Sequence, residues 1–509
     1  MMEQRVQLET SRLQTQDELD GKKSRRERNQ LGQFATPTAL AREVLTYGLA
    51  LLPDAEAVRF LDPAIGTGSF YSALLSTLNG RSLAAARGYE IDPHYALPAR
   101  DLWRDGPLDI HLADFTTAKP PKQGFNLLIC NPPYVRHHHL SSEDKARLHT
   151  SSYSSAGIRL SGLAGLYCHF LAHAHQWMSQ GGVAGWLIPS EFMDVNYGRE
   201  LKRYLLEDVT LLAVHRFDPN DVQFDDALVS SAVVWFRKGK PPAKHEVKFS
   251  YGGTLALPAL SRDVSVYELA REAKWTRFPS QGVRAATGQP KLSDVFVIKR
   301  GIATGNNKFF ILSIEQIQEH KLPMQFFKPI LPSPRFLDVD EISADTEGNP
   351  VLSNALFLLD CRLPESEVQE RYPSLWRYLE SGRVEMASRY LCKSRPLWYR
   401  QEERSSTSFI CTYMGRSNSK SGRPFRFLLN HSRAIAANTY LMLYPKPEWA
   451  EKLMNNPDAT RRVWELLNRI TPESMLNEGR VYGGGLHKLE PKELAQVPAS
   501  EIVNLLREV

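Results

Sequence analysis

Between residues 58 and 238, short apolar runs alternate with segments whose apolar positions recur at helical spacing. VRFLDPAIGTGSF (58–70) reads as a strand broken by a glycine turn, and FYSALLSTL (70–78) as the helix that follows. ARGYEID (86–92) and LDIHLADF (108–115) read as strands ending in acidic residues, and FNLLICNPPY (125–134) as one ending in Asn-Pro-Pro. GLYCHFLAHAHQWM (165–178) is a helix, GGVAGWLIP (181–189) a strand and RELKRYLLE (199–207) a helix, while VTLLAVHRF (209–217) and SSAVVWFRK (230–238) are strands. Such alternation over about 200 residues predicts an α/β fold with a mostly parallel, doubly wound sheet. Functional side chains are then expected at the carboxyl ends of its strands.

The flanks read differently. Residues 1–30 are polar and close on Lys22, Lys23, Arg25, Arg26 and Arg28, which predicts a basic N-terminal arm, mobile or helical. TALAREVLTYGLALL (38–52) predicts a helix. Residues 31–240 are expected to form the first domain. Residues 241–290, rich in Pro, Gly and Ser, are expected to be a connector, and 291–509 a second domain of α+β character. A chain of 509 residues has room for this. No apolar run reaches the ~18 residues of a membrane span, so no membrane partner is expected. The opening residues lack a secretory apolar stretch, and five scattered cysteines form no CxxC pair. These features predict a reducing cytoplasm and no metal site.

Net charge is +6, and its distribution is uneven. Residues 391–433 carry nine Lys/Arg against Glu402 and Glu403, a local +7, with Trp398, Tyr399, Phe409, Tyr413, Phe425 and Phe427 interleaved. Basic residues among aromatics suit a nucleic-acid surface, and a solvated loop over buried aromatics would read the same way.

Four constellations carry chemistry. In LDPAIGTGSF, Gly66 and Gly68 open a helix after a strand that ends on Asp62. A carboxylate there repels phosphate and receives an ammonium, which points to a zwitterionic ligand such as S-adenosylmethionine rather than a dinucleotide. Glu90, 28 residues later, closes the next strand and can accept from both ribose hydroxyls, with Ile91 beside it to pack on an adenine face. Asp114 and Phe115 offer an acceptor for an adenine amino group and a second apolar face. In Asn131-Pro132-Pro133-Tyr134 the prolines hold an extended turn and remove amide donors. The Asn131 side-chain oxygen and the Pro132 carbonyl can then both accept from one planar amine, freeing its lone pair to attack a methyl group. Tyr134 can stack on the ring that bears the amine.

Residues 32–37 (GQFATP), 61–70, 88–93, 112–115 and 131–134 resemble, in this order, the motifs of amino-methylating DNA methyltransferases. The order, with a large C-terminal half last, is similar to the γ class, whose best-known branch is the TaqI-like N6-adenine methyltransferases of type II restriction–modification systems. KRGIATGNNKFFIL (299–312) and GRVYGGGLHKLEPKEL (479–494) resemble segments of that branch's target-recognition domain. The resemblance implies a Rossmann-like methyltransferase domain followed by a DNA target-recognition domain. It implies that Thr36, Asp62, Gly66, Gly68, Glu90, Ile91, Asp114 and Phe115 bind S-adenosylmethionine without a metal. Asn131, Pro132, Pro133 and Tyr134 are then the catalytic residues, with Tyr134 and Phe236 stacking on the flipped base. Arg300, Lys308, Arg423 and Arg426 are expected to bind DNA. One departure stands at Gly165, where the family often carries Asp or Asn before Leu-Tyr.

The expected activity is site-specific adenine-N6 methylation of duplex DNA, protecting bacterial or archaeal DNA from a cognate restriction endonuclease. That nuclease is expected to be linked in function rather than bound, and the protein to act as a monomer. Cytosine-N4 methylation uses the same chemistry, though its enzymes more often carry Ser at the position of Asn131. RNA and protein-glutamine methyltransferases can also carry NPPY but are usually shorter. A non-catalytic DNA-binding specificity protein is the alternative from another class. No Pro-Cys nucleophile is present, which argues against cytosine-C5 methylation. His137, His138 and His139 read as a loop near the DNA or cofactor entrance, Asp338 and Asp340 as a surface turn, and Cys130 as a buried strand residue.

Overall fold

The runs of Val, Ile, Leu and aromatic residues pair as a sheet in the computed structural model, which describes residues 2–218, 230–279, 289–416, 423–482 and 486–508. The strands are β1 (Val58–Asp62), β2 (Leu83–Glu90), β3 (Leu108–Leu112), β4 (Phe125–Cys130), β5 (Met178–Pro189), β6 (Thr210–Arg216), β7 (Ser231–Arg237), β8 (Glu246–Gly253) and β9 (Pro258–Ser265). Among the described residues they lie in the order β3-β2-β1-β4-β5-β7-β6-β8-β9. The first five are mutually parallel, and β7 runs antiparallel between β5 and β6. The chain leaves β1 toward β2 and β3, then returns to place β4 on the other side of β1. This reversal opens a crevice beyond the carboxyl ends of β1 and β4, the place where such sheets bind ligands.

Helices cover both faces, and strand alternation sorts the core in two. Phe60, Leu127 and Ile129 pack with α3 (Thr38–Ala50), α4 (Ser69–Thr77) and α5 (Pro93–Trp103). Leu61, Leu128 and Cys130 pack on the opposite side with α7 (Leu166–Ala174) and α8 (Arg199–Glu207). The fold is Rossmann-like, and its strands follow the sequence reading closely.

One stretch differs from expectation. Residues 241–290 were expected to be a connector, yet β8 and β9 within them extend the sheet. Their Pro and Gly content masks a two-residue alternation in EVKFSY, where Val247 and Phe249 are buried. The N-terminal arm is a helix, α1 (Met2–Gly21), followed by α2 (Arg25–Leu31), and α1 packs against α4 and α5.

Two units divide the chain, Met1–Gly282 and Val283–Val481 with Gly485–Val509. In the second, Phe296–Arg300, Tyr440–Pro445, Phe409–Thr412, Phe427–Asn430 and Glu341–Ile342 form one sheet in that order. Ile311–Ser313, Leu356–Leu359, Phe327–Leu331 and Ile435–Ala436 form another. Helices such as Pro373–Ala387, Pro457–Arg469 and Ser500–Glu508 contribute to the cores around them, so the unit is α+β.

The aromatics of 391–433 are core residues rather than a nucleic-acid surface. Trp398, Tyr399, Phe409, Tyr413, Phe425 and Phe427 are all buried, Phe409 and Phe427 on strands and the others in the connecting turns that pack into the same cores. Arg426 is corrected as well. It donates to Asp340 at 2.7 Å and to the Leu337 and Val339 carbonyls at 2.8 and 3.0 Å, which ties the residue just before the strand Phe427–Asn430 to the 337–340 segment and leaves little for a phosphate. At Gly301 a Cβ would lie 2.1 Å from the Ala437 carbonyl oxygen, so this turn packs directly on backbone of the same unit. Arg300, Lys308 and Arg423 stay exposed. Arg300 lies 4.1 Å over the Tyr413 ring and Arg423 donates to the Asn468 carbonyl at 3.0 Å. Lys420 and the glycines 483–485 fall outside the described residues.

Candidate active site

A cavity of 770 Å³ opens beyond β1, β2 and β4, within the size range of small-molecule sites. Its lining gathers Thr36, Asp62, Gly66, Glu90, Ile91, Asp114, Phe115, Asn131 and Pro133 from five separate stretches of chain.

Asp62 ends β1 with 1% of its surface exposed and accepts from the Ala64 amide at 3.1 Å. Burial pushes its carboxyl up to about 8, helped by the nearby Glu90 charge and opposed by the Ala64 amide. A carboxyl so placed is costly to ionise unless a cation meets it. Glu90 ends β2 and accepts from the Gly66 amide at 3.1 Å and the Asp92 amide at 2.9 Å. Burial raises it to about 7, against those two amides. Each carboxylate oxygen keeps a lone pair for a further donor. Ile91, beside it, is 65% exposed although apolar, as a residue waiting for a ring would be. Asp114 accepts from the Thr116 amide at 2.8 Å and pairs with Arg147 at 3.2 Å. Phe115 is 1% exposed, packed on Tyr89, Phe170 and Trp177, and forms the cavity floor.

The turn between β1 and α4 needs its glycines. Gly68 has φ +92°, and a Cβ there would lie 2.5 Å from the Trp103 indole nitrogen, which donates to the Thr67 carbonyl at 2.9 Å.

The Asn131 side chain is held from behind by the segment 32–36. Its Nδ2 donates to the Phe34 carbonyl at 3.0 Å and to Thr36 Oγ1 at 3.2 Å. A backbone carbonyl can only accept, so this contact sets the orientation of the amide. Oδ1 is left buried and without a hydrogen-bond partner among the described residues. The turn itself lies tight on Gly32, where a Cβ would sit 2.3 Å from the Tyr134 nitrogen. Tyr134 is half-buried, with its ring 5.8 Å from that of Phe34 and its hydroxyl donating to the Leu187 carbonyl at 3.0 Å. Neither Tyr134 nor Pro132 lines the cavity wall.

Phe236 does not stack on a flipped base. It is 1% exposed, edge-on to Tyr204, and pairs with Ala184 on β5, which in turn pairs with Leu128. That register puts it two residues inside the sheet from Cys130, away from the Asn131 end.

The sequence reading gave α1 no part in the site. Arg12, 1% exposed, pairs with Glu9 and donates to Thr67 Oγ1, Ser69 Oγ and Thr38 Oγ1 at 3.3, 3.0 and 3.3 Å. Gln16 accepts from Thr67 Oγ1 at 2.6 Å and lines the cavity. Lys23 and Gln33 both donate to Asp92 at the cavity wall. At Gly165, where the polar family residue is missing, the neighbouring Leu166 amide donates to the Val135 carbonyl at 3.0 Å.

The sequence profile of the "Eco57I restriction-modification methylase" family matches residues 100–223, and that of the "Type II methyltransferase M.Eco57I, C-terminal domain" matches 279–508. Type II methyltransferase M.XamI of Xanthomonas campestris pv. amaranthicola is 29% identical over 484 residues, 93% of this chain and 86% of that protein. M.AccI of Acinetobacter calcoaceticus is 24% identical over 485 residues, 92% and 85% of the two chains. The chain belongs to the γ-class type II restriction–modification methyltransferases. This methyltransferase therefore uses S-adenosylmethionine and acts on DNA. The narrower TaqI-like branch is named by neither profile. Among solved structures, the type IIL restriction–modification enzyme MmeI in complex with DNA superposes with a TM-score of 0.53 at 11% identity. The match covers 90% of the methyltransferase and 64% of that longer chain, a likeness of fold.

Proposed function

We propose that the protein methylates the N6 amine of adenine at a specific duplex site, as the modification half of a restriction–modification system. The observation that carries this is the orphaned, buried Asn131 Oδ1, in a residue that lines the same cavity as Asp62 and Glu90. An unsatisfied buried acceptor costs about 1–3 kcal/mol, and a donor arriving with the substrate would relieve it. Asp62 is suited to the ammonium of S-adenosylmethionine, Glu90 to its ribose hydroxyls, and Ile91, Asp114 and Phe115 to its adenine. The bound cofactor supplies an electrophilic methyl group. Asn131 Oδ1 and the Pro132 carbonyl accept from the target amine, localise its lone pair and hold it in line, so alignment supplies much of the acceleration. No strong base is needed, because the amine loses its proton only after attack. The base is stacked inside the duplex and must be extruded to reach the cavity, and Tyr134, which lies behind the cavity wall, is assigned to stack on it.

Asn at position 131, rather than Ser, favours adenine over cytosine. Residues 291–509, with Arg300, Lys308 and Arg423, are assigned to reading the sequence. The protein is taken to act as a cytoplasmic monomer, without a metal, beside a separate nuclease. Incubation with labelled cofactor and duplex DNA, then digestion to nucleosides, tests the reading. N6-methyldeoxyadenosine is the expected labelled nucleoside, and N4-methyldeoxycytidine would replace adenine with cytosine as the substrate.

A further inference from the structure

Lys23 pairs with Asp92 and Arg28 with Asp20 at 3.3 Å, and Asp20, Lys23 and Asp92 line the cofactor cavity. Arg25 and Arg26 face outward on α2, whose ends are fixed by the Ser24–Glu27 capping box and by Gly32 at φ +65°. Arg25, Arg26, Asn29 and Gln30 share one shallow concavity with His139. Gln30 and His139 also line the cofactor cavity, so the two surfaces are continuous.

The opposite rim is the turn after the catalytic loop. Arg136, His138 and His139 are exposed there, with the rings of His138 and His139 4.1 Å apart. Burial lowers His138, and the neighbouring histidines, Arg136 and Lys145 add to this, so the lasting positive charge beside this turn comes from Arg136 and Lys145. The acids close by are engaged. Glu27 accepts from the Ser24 amide and hydroxyl at 2.8 and 2.7 Å, and Asp144 from the Ser141 hydroxyl at 2.7 Å. Like charges packed on a rim work against the fold unless a polyanion binds there.

We infer that this basic concavity grips the phosphodiester backbone of the strand whose base enters the cavity. The inference rests on the methyl-acceptor reading of Asn131. A base leaving the stack swings about its own flanking phosphates, so pinning them at the mouth directs it inward. The contact is to backbone, and it adds affinity without sequence preference.

The test uses the full chain and a duplex whose methylated position has been mapped. Arg25→Ala/Arg26→Ala should weaken duplex binding about ten-fold at moderate salt and flatten the salt slope by roughly one to two units, near 0.9 per lost phosphate contact. Cofactor affinity should not change. Neutral methylphosphonates flanking the target base should weaken wild-type binding and have little further effect on the double variant. An unchanged salt slope, or a full methylphosphonate effect in the variant, overturns the inference. That result leaves the methylation reading standing if the wild type still labels adenine. A wild type that binds no duplex overturns both.

Discussion

Asn131 has two amide hydrogens and commits both to the 32–36 segment, which leaves its oxygen to the cavity. Asn131→Ala removes an acceptor whose bond strengthens as the amine attacks. Turnover should fall about 10²-fold or more while calorimetric cofactor affinity stays unchanged. Near-normal turnover would remove NPPY from the mechanism. Asp62 and Glu90 give a second expectation. Their carboxyls rise from 3.8 to about 8 and from 4.5 to about 7 on folding, chiefly through burial. Between those limits the folded protein holds protons that the unfolded chain has released. Their contribution to cofactor-free stability should therefore be full below about pH 4 and fall as pH rises toward 8, by up to about 1.4 kcal/mol per pH unit for each group. Cofactor ammonium favours ionised Asp62, so the melting-point gain on adding cofactor should grow from pH 6 to 8. Thermal melts of wild type and Asp62→Asn check this, and an identical slope in both would contradict it.

At the scale of elements, strands were legible and the packing of α1 was not. Strand ends declare themselves through Asp62, Glu90, Asp114 and Asn131, each following an apolar run. The buried face of α1 is Glu9, Arg12, Gln16 and Leu19, at helical spacing but mostly polar, so hydrophobic periodicity could not reveal it. The misreading of Phe236 and of the 391–433 aromatics has the opposite cause. An aromatic at a strand end or among arginines looks the same in sequence whether it faces ligand or core, and only strand register decides. Arg12 offers a test of the element. Arg12→Ala strands Glu9 half-paired, so stability should drop by about 3–5 kcal/mol. Cofactor affinity should drop with it, because Thr67 and Ser69 lose their shared donor. Replacing both members with apolar residues of similar volume (Glu9→Leu/Arg12→Met) should recover the melting temperature but not the cofactor affinity. Recovery of both would show that α1 supports only the fold.

For the whole molecule, the first unit carries the complete sheet and the complete cofactor cavity. A fragment of residues 1–282 should bind S-adenosylmethionine like the full chain and methylate no defined site. Site-specific methylation by that fragment would give the second unit another role. The strand order of the sheet also bears on how the protein is made. Of these nine strands β1 leaves the ribosome first and lies in the middle of the five parallel ones, and β2 and β3 then add outward on one flank. On the other flank β4 and β5 add in turn, but β6 has no partner until β7 fills the gap between it and β5. A chain interrupted between residues 190 and 230 therefore leaves β5, buried along 183–189 in the finished fold, as an unpaired edge. Such an edge invites pairing with another chain, so aborted products ending there should be the aggregating ones. Translation of the next fifty or so residues closes that hazard.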